Sequence, residues 1–172
     1  MAGQLIQVAT NTVTSAVASV TLTGIDSDDV YMLSASGIVV PASSDGQLRV
    51  TVGGTADTTA NYDVAYKGLR ADTTFSNISS TNGTSFGQVF QWSTYTTSGI
   101  TGNGIVYLYN FNNASEYSFV TVEESTFNTI QQLTGRQGGG VHTVASASDG
   151  IQFIMQSGNI ASGTFTLYGL KK

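Results

Sequence analysis

Hydrophobic and polar residues alternate with a period of two along much of the chain, in short runs separated by turn residues. The clearest runs are 48–52 and 151–156, where every second residue is apolar and would lie on one face of a strand. β-Branched Val and Thr are abundant along the chain, and no segment shows the 3.6-residue period of an amphipathic helix. Further strands are predicted at 17–22, 30–40, 105–111, 117–122, 141–145 and 164–170.

Turn residues lie between the predicted strands. The pairs Asp45-Gly46, Asn103-Gly104 and Asp149-Gly150 directly precede strands, as expected of turns in which glycine adopts a positive φ. Gly37 interrupts the longest run and predicts a β-bulge there. Together these signals predict an all-β, single-domain β-sandwich over residues 1–172, jelly-roll-like, with about 8–10 antiparallel strands.

The segment 71–104 differs from the rest because it is rich in Ser, Thr, Asn and Gly but carries several aromatic residues. One interpretation is a long, variable, exposed excursion whose aromatic side chains contact a partner. In that case Phe90, Trp92 and Tyr95 are the candidate residues for contact with a partner protein or a glycan. The alternative is an ordinary strand at 89–92 within a loop.

Charge and composition narrow the range of functions. The 172 residues include 6 basic and 11 acidic side chains, with a net charge of −5. The sequence therefore lacks the basic patch that nucleic acid binding requires. The absence of Cys excludes thiol catalysis and disulfides. The sequence shows neither a basic leader nor a long apolar run, so no membrane contact is expected.

Few residues are suited to catalysis. His142 is the single histidine, no Gly-x-Ser-x-Gly elbow is present, and the neighbouring valines favour a structural strand histidine. Glu123 and Glu124 are adjacent, and in a strand they would point to opposite faces. The tract 138–140, three glycines, predicts a flexible turn or a tight contact with another subunit.

A glycan-cleaving enzyme would need two positioned carboxylates. The carboxylates available for this are Asp63, Asp72, Glu116 and Glu123, and their spacing in the sequence shows no such pair. The expectation is therefore a protein without enzymatic activity, cofactor or metal ion.

The C-terminal stretch carries the most specific motif, Gly158-Asn-Ile-Ala-Ser-Gly-Thr-Phe-Thr-Leu-Tyr-Gly169. It resembles the closing hairpin of small structural proteins of tailed bacteriophages. The segments 17–22, 45–52, 105–109 and 113–117 resemble the same family, whereas 71–104 departs from it. The resemblance implies a jelly-roll-like virion component and no catalytic residues.

The leading hypothesis is thus a non-enzymatic virion protein, a capsid decoration or knob protein on the exterior of the particle, made in the host cytoplasm. Its expected partners are other virion proteins of the capsid or tail. Because virion sites repeat, a homo-oligomer is also expected, with a trimer as one symmetric option. The alternative hypothesis is a receptor- or carbohydrate-binding module of a tail fibre or tail appendage, with a host glycan as ligand.

Overall fold

Strands account for every regular element in the part of the chain that the computed structural model describes, residues 4–27, 30–40, 44–92, 100–128 and 132–171. Thirteen strands are found there. They are β1 (Gln4–Val13), β2 (Ser19–Thr23), β3 (Val30–Val39), β4 (Ser44–Val52), β5 (Thr55–Ala56), β6 (Tyr62–Arg70), β7 (Phe75–Gly83), β8 (Phe86–Trp92), β9 (Gly102–Tyr109), β10 (Ser118–Phe127), β11 (Leu133–His142), β12 (Gly150–Met155) and β13 (Ser162–Lys171).

The strands form two antiparallel sheets. The large sheet has eight strands in the order β1-β13-β3-β9-β10-β11-β6-β7. The small sheet has the order β2-β12-β4-β5, and β8 also pairs with β4. The predicted all-β sandwich is therefore confirmed.

Eight of these strands are arranged as a jelly roll. The run β1-β13-β3-β9 of the large sheet faces β2-β12-β4-β8 of the small sheet. Consecutive strands of these eight alternate between the two four-stranded sheets except for β4 and β8, which pair within the small sheet, and this is the double Greek-key arrangement. The remaining strands β10, β11, β6 and β7 extend the large sheet beyond the jelly roll. The strand number exceeds the predicted 8–10. The prediction missed β1, β5 and β7, which lack a clear alternating pattern, and also β6, whose buried and exposed residues do alternate.

The core lies between the two sheets and follows from the period of two. In β12, Ile151, Phe153 and Met155 are buried, as the alternation predicted. Val106 and Leu108 of β9 are fully buried beneath them in the large sheet. Each such side chain contributes roughly 1.5–3 kcal/mol through removal of its apolar surface from water.

Several predicted details are confirmed and others are corrected. Gly37 has a φ of 63° and lies where the pairing of β3 with β9 shifts register, so the predicted bulge is present. The predicted strand 141–145 is wrong in its position, because β11 ends at His142. The segment 71–104 is also largely regular, since β7 and β8 occupy 75–83 and 86–92.

The glycines of the Asp-Gly and Asn-Gly pairs are not in left-handed turns. Gly46 and Gly104 lie inside strands, and Gly150 opens β12. Their role is close packing instead: a Cβ at Gly46 would lie 2.6 Å from Cζ of Phe153. A Cβ at Gly104 would collide with the Phe90 ring. The prediction failed because local sequence shows a glycine but not the side chain that packs against it.

Candidate assembly surface

The outer face of the large sheet is the face that points away from the small sheet. In β10 the inner residues are buried and the outer residues are exposed in strict alternation. Cross-strand pairing then assigns the neighbours: Thr121 lies between Tyr107 of β9 and Gly139 of β11. No described strand covers this face.

An apolar cluster lies at one end of the outer face. It consists of Leu69, Phe75, Phe127 and Leu133, whose exposed fractions are 38%, 63%, 40% and 50%. Leu69 pairs with Phe75 across β6 and β7, and Phe127 pairs with Leu133 across β10 and β11. Gly135 lies next to Leu69, and a pit of about 290 Å³ is lined by Leu69, Leu133 and Gly135. We call these four residues the apolar cluster.

Aromatic side chains occupy the middle of the outer face. Tyr107 and Tyr109 of β9 are half-buried, and Phe119 of β10 is 46% exposed opposite Tyr109. The Tyr109 hydroxyl lies 3.3 Å from Thr121 Oγ1. Beside them, the small residues of β11 leave an open groove of about 440 Å³.

The three glycines of 138–140 lie within β11, so the predicted turn is wrong. Side chains there would meet neighbouring main chains: a Cβ at Gly139 would lie 2.7 Å from the Val120 carbonyl oxygen, and one at Gly140 would lie 2.9 Å from the Asp63 carbonyl oxygen. The glycines therefore allow β11 to approach β10 and β6 closely, and Gly139 and Gly140 line the groove.

Both edge strands of the large sheet lack charged residues. The sequences are QLIQVATNTV in β1 and FSNISSTNG in β7. Seven of the nine β7 residues are exposed, on both faces of the strand. Soluble proteins usually protect such edges with Lys, Pro or a covering segment. The β7 edge is continuous with the apolar cluster through Phe75.

A buried ionic cluster joins β11 and β10 to the strands of the small sheet. Arg136 of β11 donates to the Gln88 carbonyl oxygen and, at 3.0 Å, to Asp45 Oδ1. Its side chain is 4% exposed and that of Asp45 14%. Gln88 Nε2 also donates to Asp45 Oδ2, at 2.7 Å. The cluster therefore holds β8 in place. β8 contains two of the predicted contact residues, Phe90 and Trp92.

Glu124 of β10 lies in the same cluster and contacts β8 from the other side. Its Oε1 accepts a 2.7 Å hydrogen bond from the Gln91 amide, while Oε2 has no partner among the described atoms. Burial raises the pKa of this carboxyl to about 8, although Arg136 opposes the shift. Burial also raises the pKa of Tyr66, whose buried hydroxyl likewise lacks a described partner. Glu123 points to the opposite, exposed face, as predicted.

His142 is buried beside Tyr62, with 1% of its side chain exposed. Its Nε2 lies 2.8 Å from Asp57 Oδ2. Burial opposes ionisation of Asp57, but hydrogen bonds from Thr59 and His142 lower the pKa of the carboxyl overall. The pair of His142 and Asp57 connects the end of β11 to the segment between β5 and β6. This contact gives the histidine a structural role.

The predicted contact residues separate into two groups. Phe90 is fully buried, with its ring 6.0 Å from that of Phe153, so the prediction of an exposed contact is wrong for this residue. Phe90 lies opposite Gly46 in the pairing of β8 with β4 of the small sheet. The side chain of Trp92 and all of Tyr95 lie outside the described residues.

The residues that sequence reasoning missed are those of the apolar cluster. In the sequence these are isolated apolar residues at positions where the alternation predicts polar ones. Only strand pairing brings them together. The four carboxylates considered for glycan cleavage lie in different elements. Asp63 is in β6, Asp72 in the turn before β7, Glu116 before β10 and Glu123 within β10.

Within the described ranges, no group of three or more His, Cys, Asp or Glu side chains is placed to hold a metal ion. In the same part of the chain, no helix has the length and apolarity to cross a bilayer. No protein-family model, curated protein or solved structure matches the chain.

Proposed function

We propose that this protein is a non-enzymatic structural component of a tailed-bacteriophage virion, a decoration or knob protein on the capsid exterior. The main observation in support of this proposal is the apolar cluster on the outer face of the large sheet. It places four large apolar side chains in water, each at least 38% exposed. Contiguous exposed apolar residues of this kind mark protein–protein interfaces.

The sequence motif of 158–169 and the jelly-roll arrangement support the same proposal. Residues 162–169 of that motif lie in β13, which is hydrogen-bonded between β1 and β3 in the jelly roll. It therefore specifies the scaffold, while the extension β10-β11-β6-β7 presents the docking surface. Because the cluster is uncharged, binding to the particle should depend little on salt.

The test is binding of purified protein to phage particles that lack it. Phe75→Ser combined with Leu133→Ser should lower the amount that co-sediments with particles by on the order of tenfold or more, since exposed aromatic and aliphatic anchors dominate interfaces. Leu5→Ser is the matched control, because Leu5 is 52% exposed on the distant strand β1. Unchanged binding of the double variant, or absence of the chain from purified wild-type particles, contradicts the proposal.

A glycan-binding module of a tail appendage is the second candidate. It is favoured by the aromatic residues Tyr107, Tyr109 and Phe119 beside an open groove, since aromatic rings stack on sugars and hydroxyl groups orient them. A glycan array of host surface polysaccharides tests it. Tyr107→Ala should abolish a positive signal, and a wild-type protein that binds no glycan removes this candidate.

A further inference from the structure

The strand β7 is unusual because it is regular but buries almost nothing. Within β7 only Ile78 and Gly83 are partly buried, and Ile78 packs against the core. Among the described residues, β7 pairs with β6 alone. A strand that is exposed on both faces and open on one edge gains little from burial, and a further paired strand would stabilise it.

From these features we infer that β7 pairs with β7 of a second copy of this chain, antiparallel across a two-fold axis. The two large sheets then form one continuous sheet. The open edge of β7 presents a row of main-chain N–H and C=O groups that β6 does not pair. Only an extended strand can form hydrogen bonds to such groups one after another, so an extended strand is the expected partner.

Self-pairing fits the side chains of β7. A two-fold axis near Asn77 places Phe75 opposite Ser79 of the partner subunit and Ser76 opposite Ile78 of the partner subunit. The two residues of each pair lie on the same face of the joined sheet, so the outer faces of both copies stay on one side. No charged residue meets its own copy across the axis, which matters for a chain of net charge −5.

The interface is larger than the edge itself. Phe75 belongs to the apolar cluster and lies at one end of β7, so the clusters of the two copies flank the axis on the shared face. Lys67 of β6 is 5.6 Å from the centre of the Phe75 ring and hydrogen-bonds Asn77 at 3.2 Å, so these side chains are already ordered. A two-fold contact closes on itself, so it yields a dimer and not a fibre.

The β1 edge is the competing site, and two observations favour β7. Val8 and Ala9 of β1 are partly buried against the core, and the pairing of β1 with β13 shifts register between Gln7 and Ala9. Such a bulge interrupts an edge. The pairing of β7 with β6 also shifts register, but only near the end of the strand, between Ser80 and Gly83, and it is continuous from Phe75 to Ser80.

The test is the oligomeric state of the purified full chain, by light scattering after size exclusion over a range of concentrations. The wild type should have twice the 17.9 kDa chain mass. Ser76→Lys with Ser79→Lys adds one exposed cation on each face of β7 and should raise the dimer dissociation constant by on the order of tenfold or more. Gln4→Lys with Gln7→Lys is the matched control, with the same charge change and spacing on β1, and should remain dimeric.

Amide hydrogen exchange gives an independent readout if the β7 variant folds poorly. In wild-type protein, exchange at 75–80 should slow as concentration rises, whereas β1 should not respond. A monomer at all concentrations, a trimer with freely exchanging β7 amides, or dissociation by the β1 variant alone overturns the inference. A monomeric result leaves the particle-binding proposal standing, and a dimer that does not bind particles overturns only that proposal.

Discussion

Two adjacent glutamates of β10 have opposite environments. Glu123 points to water on the outer face, while Glu124 points into the sandwich, where it is 9% exposed and binds the Gln91 amide. Burial raises the pKa of Glu124 to about 8 from 4.5. The carboxyl is therefore mainly protonated at neutral pH in the folded protein and ionised in the unfolded chain. Its contribution to folding is full below pH 4.5 and is lost as pH rises to about 8.

We expect Glu124→Gln to stabilise the protein at alkaline pH, because the amide keeps the hydrogen bond from Gln91 and removes the cost of the buried acid. The free energy of unfolding should rise by on the order of 1–3 kcal/mol at pH 8.5 and change little at pH 4.5. Urea denaturation at both pH values measures the difference. The control Glu123→Gln should stay within about 0.5 kcal/mol at both. Destabilisation by Glu124→Gln at pH 8.5 would show that the carboxylate is ionised and paired.

Burial also determines how strongly a substitution of Arg136 changes the stability of the protein. Replacement by Met removes the cation and leaves Asp45 Oδ1 and the Gln88 carbonyl without the donor that Arg136 supplies. We expect a loss of about 3–5 kcal/mol in the free energy of unfolding, since an uncompensated buried charge remains.

Arg49→Met is the matched control for Arg136→Met. Arg49 also donates to a main-chain carbonyl, that of Thr84 at 3.1 Å, but at an exposed position. It should cost about 1 kcal/mol or less. Equal effects of the two substitutions, measured by thermal and urea unfolding, would refute a special role for the buried cluster.

At the scale of the elements, glycine sets how closely strands and side chains approach. Gly46 and Gly104 leave room for the rings of Phe153 and Phe90, and the glycines of β11 leave room for the main chains of β10 and β6. Tight packing of this kind cannot absorb even one methyl group without displacement of a neighbour.

Gly104→Ala should therefore destabilise the protein by about 1–3 kcal/mol, because the new Cβ overlaps the buried ring of Phe90. Gly87→Ala is the control, since a Cβ there meets nothing within 4 Å. Phe90→Leu in the Gly104→Ala background should cost less than Phe90→Leu in the wild type. Additive effects in this double-mutant cycle would contradict the proposed overlap.

At the scale of the whole molecule, both ends of the chain lie in one sheet. Gln4 is the register partner of Lys171, and β13 lies between β1 and β3. Pairing of β1 with β13 thus joins residues as far apart in the chain as Gln4 and Lys171, and such non-local pairing slows folding.

We expect refolding from urea on a timescale of about 0.1–10 s, typical of all-β sandwiches. Stopped-flow circular dichroism gives the rate. Removal of β1 contacts, for example by Ile6→Ser, should accelerate unfolding more than it slows folding if β1 docks late in folding. Refolding within microseconds would show that local contacts dominate.

The sequence by itself determined the fold class and most strands, because a period of two reports directly which side of a sheet faces the core. The alternation in β4, β10 and β12, the bulge at Gly37 and the opposite faces of Glu123 and Glu124 all follow from this local rule. Where no alternation exists, as in β1 and β7, the strands escaped prediction, since neither is buried on one face only.

Only the tertiary structure decided which surface is available to a partner. Phe90 looked like an exposed aromatic in a polar segment, yet pairing of β8 with β4 buries it. Leu69, Phe75, Phe127 and Leu133 form one cluster because the pairing of β11 with β6 joins β6-β7 to β10-β11, two strand pairs that are far apart in the chain. Long-range pairing sets these neighbours, and a local pattern contains no information about which strands pair.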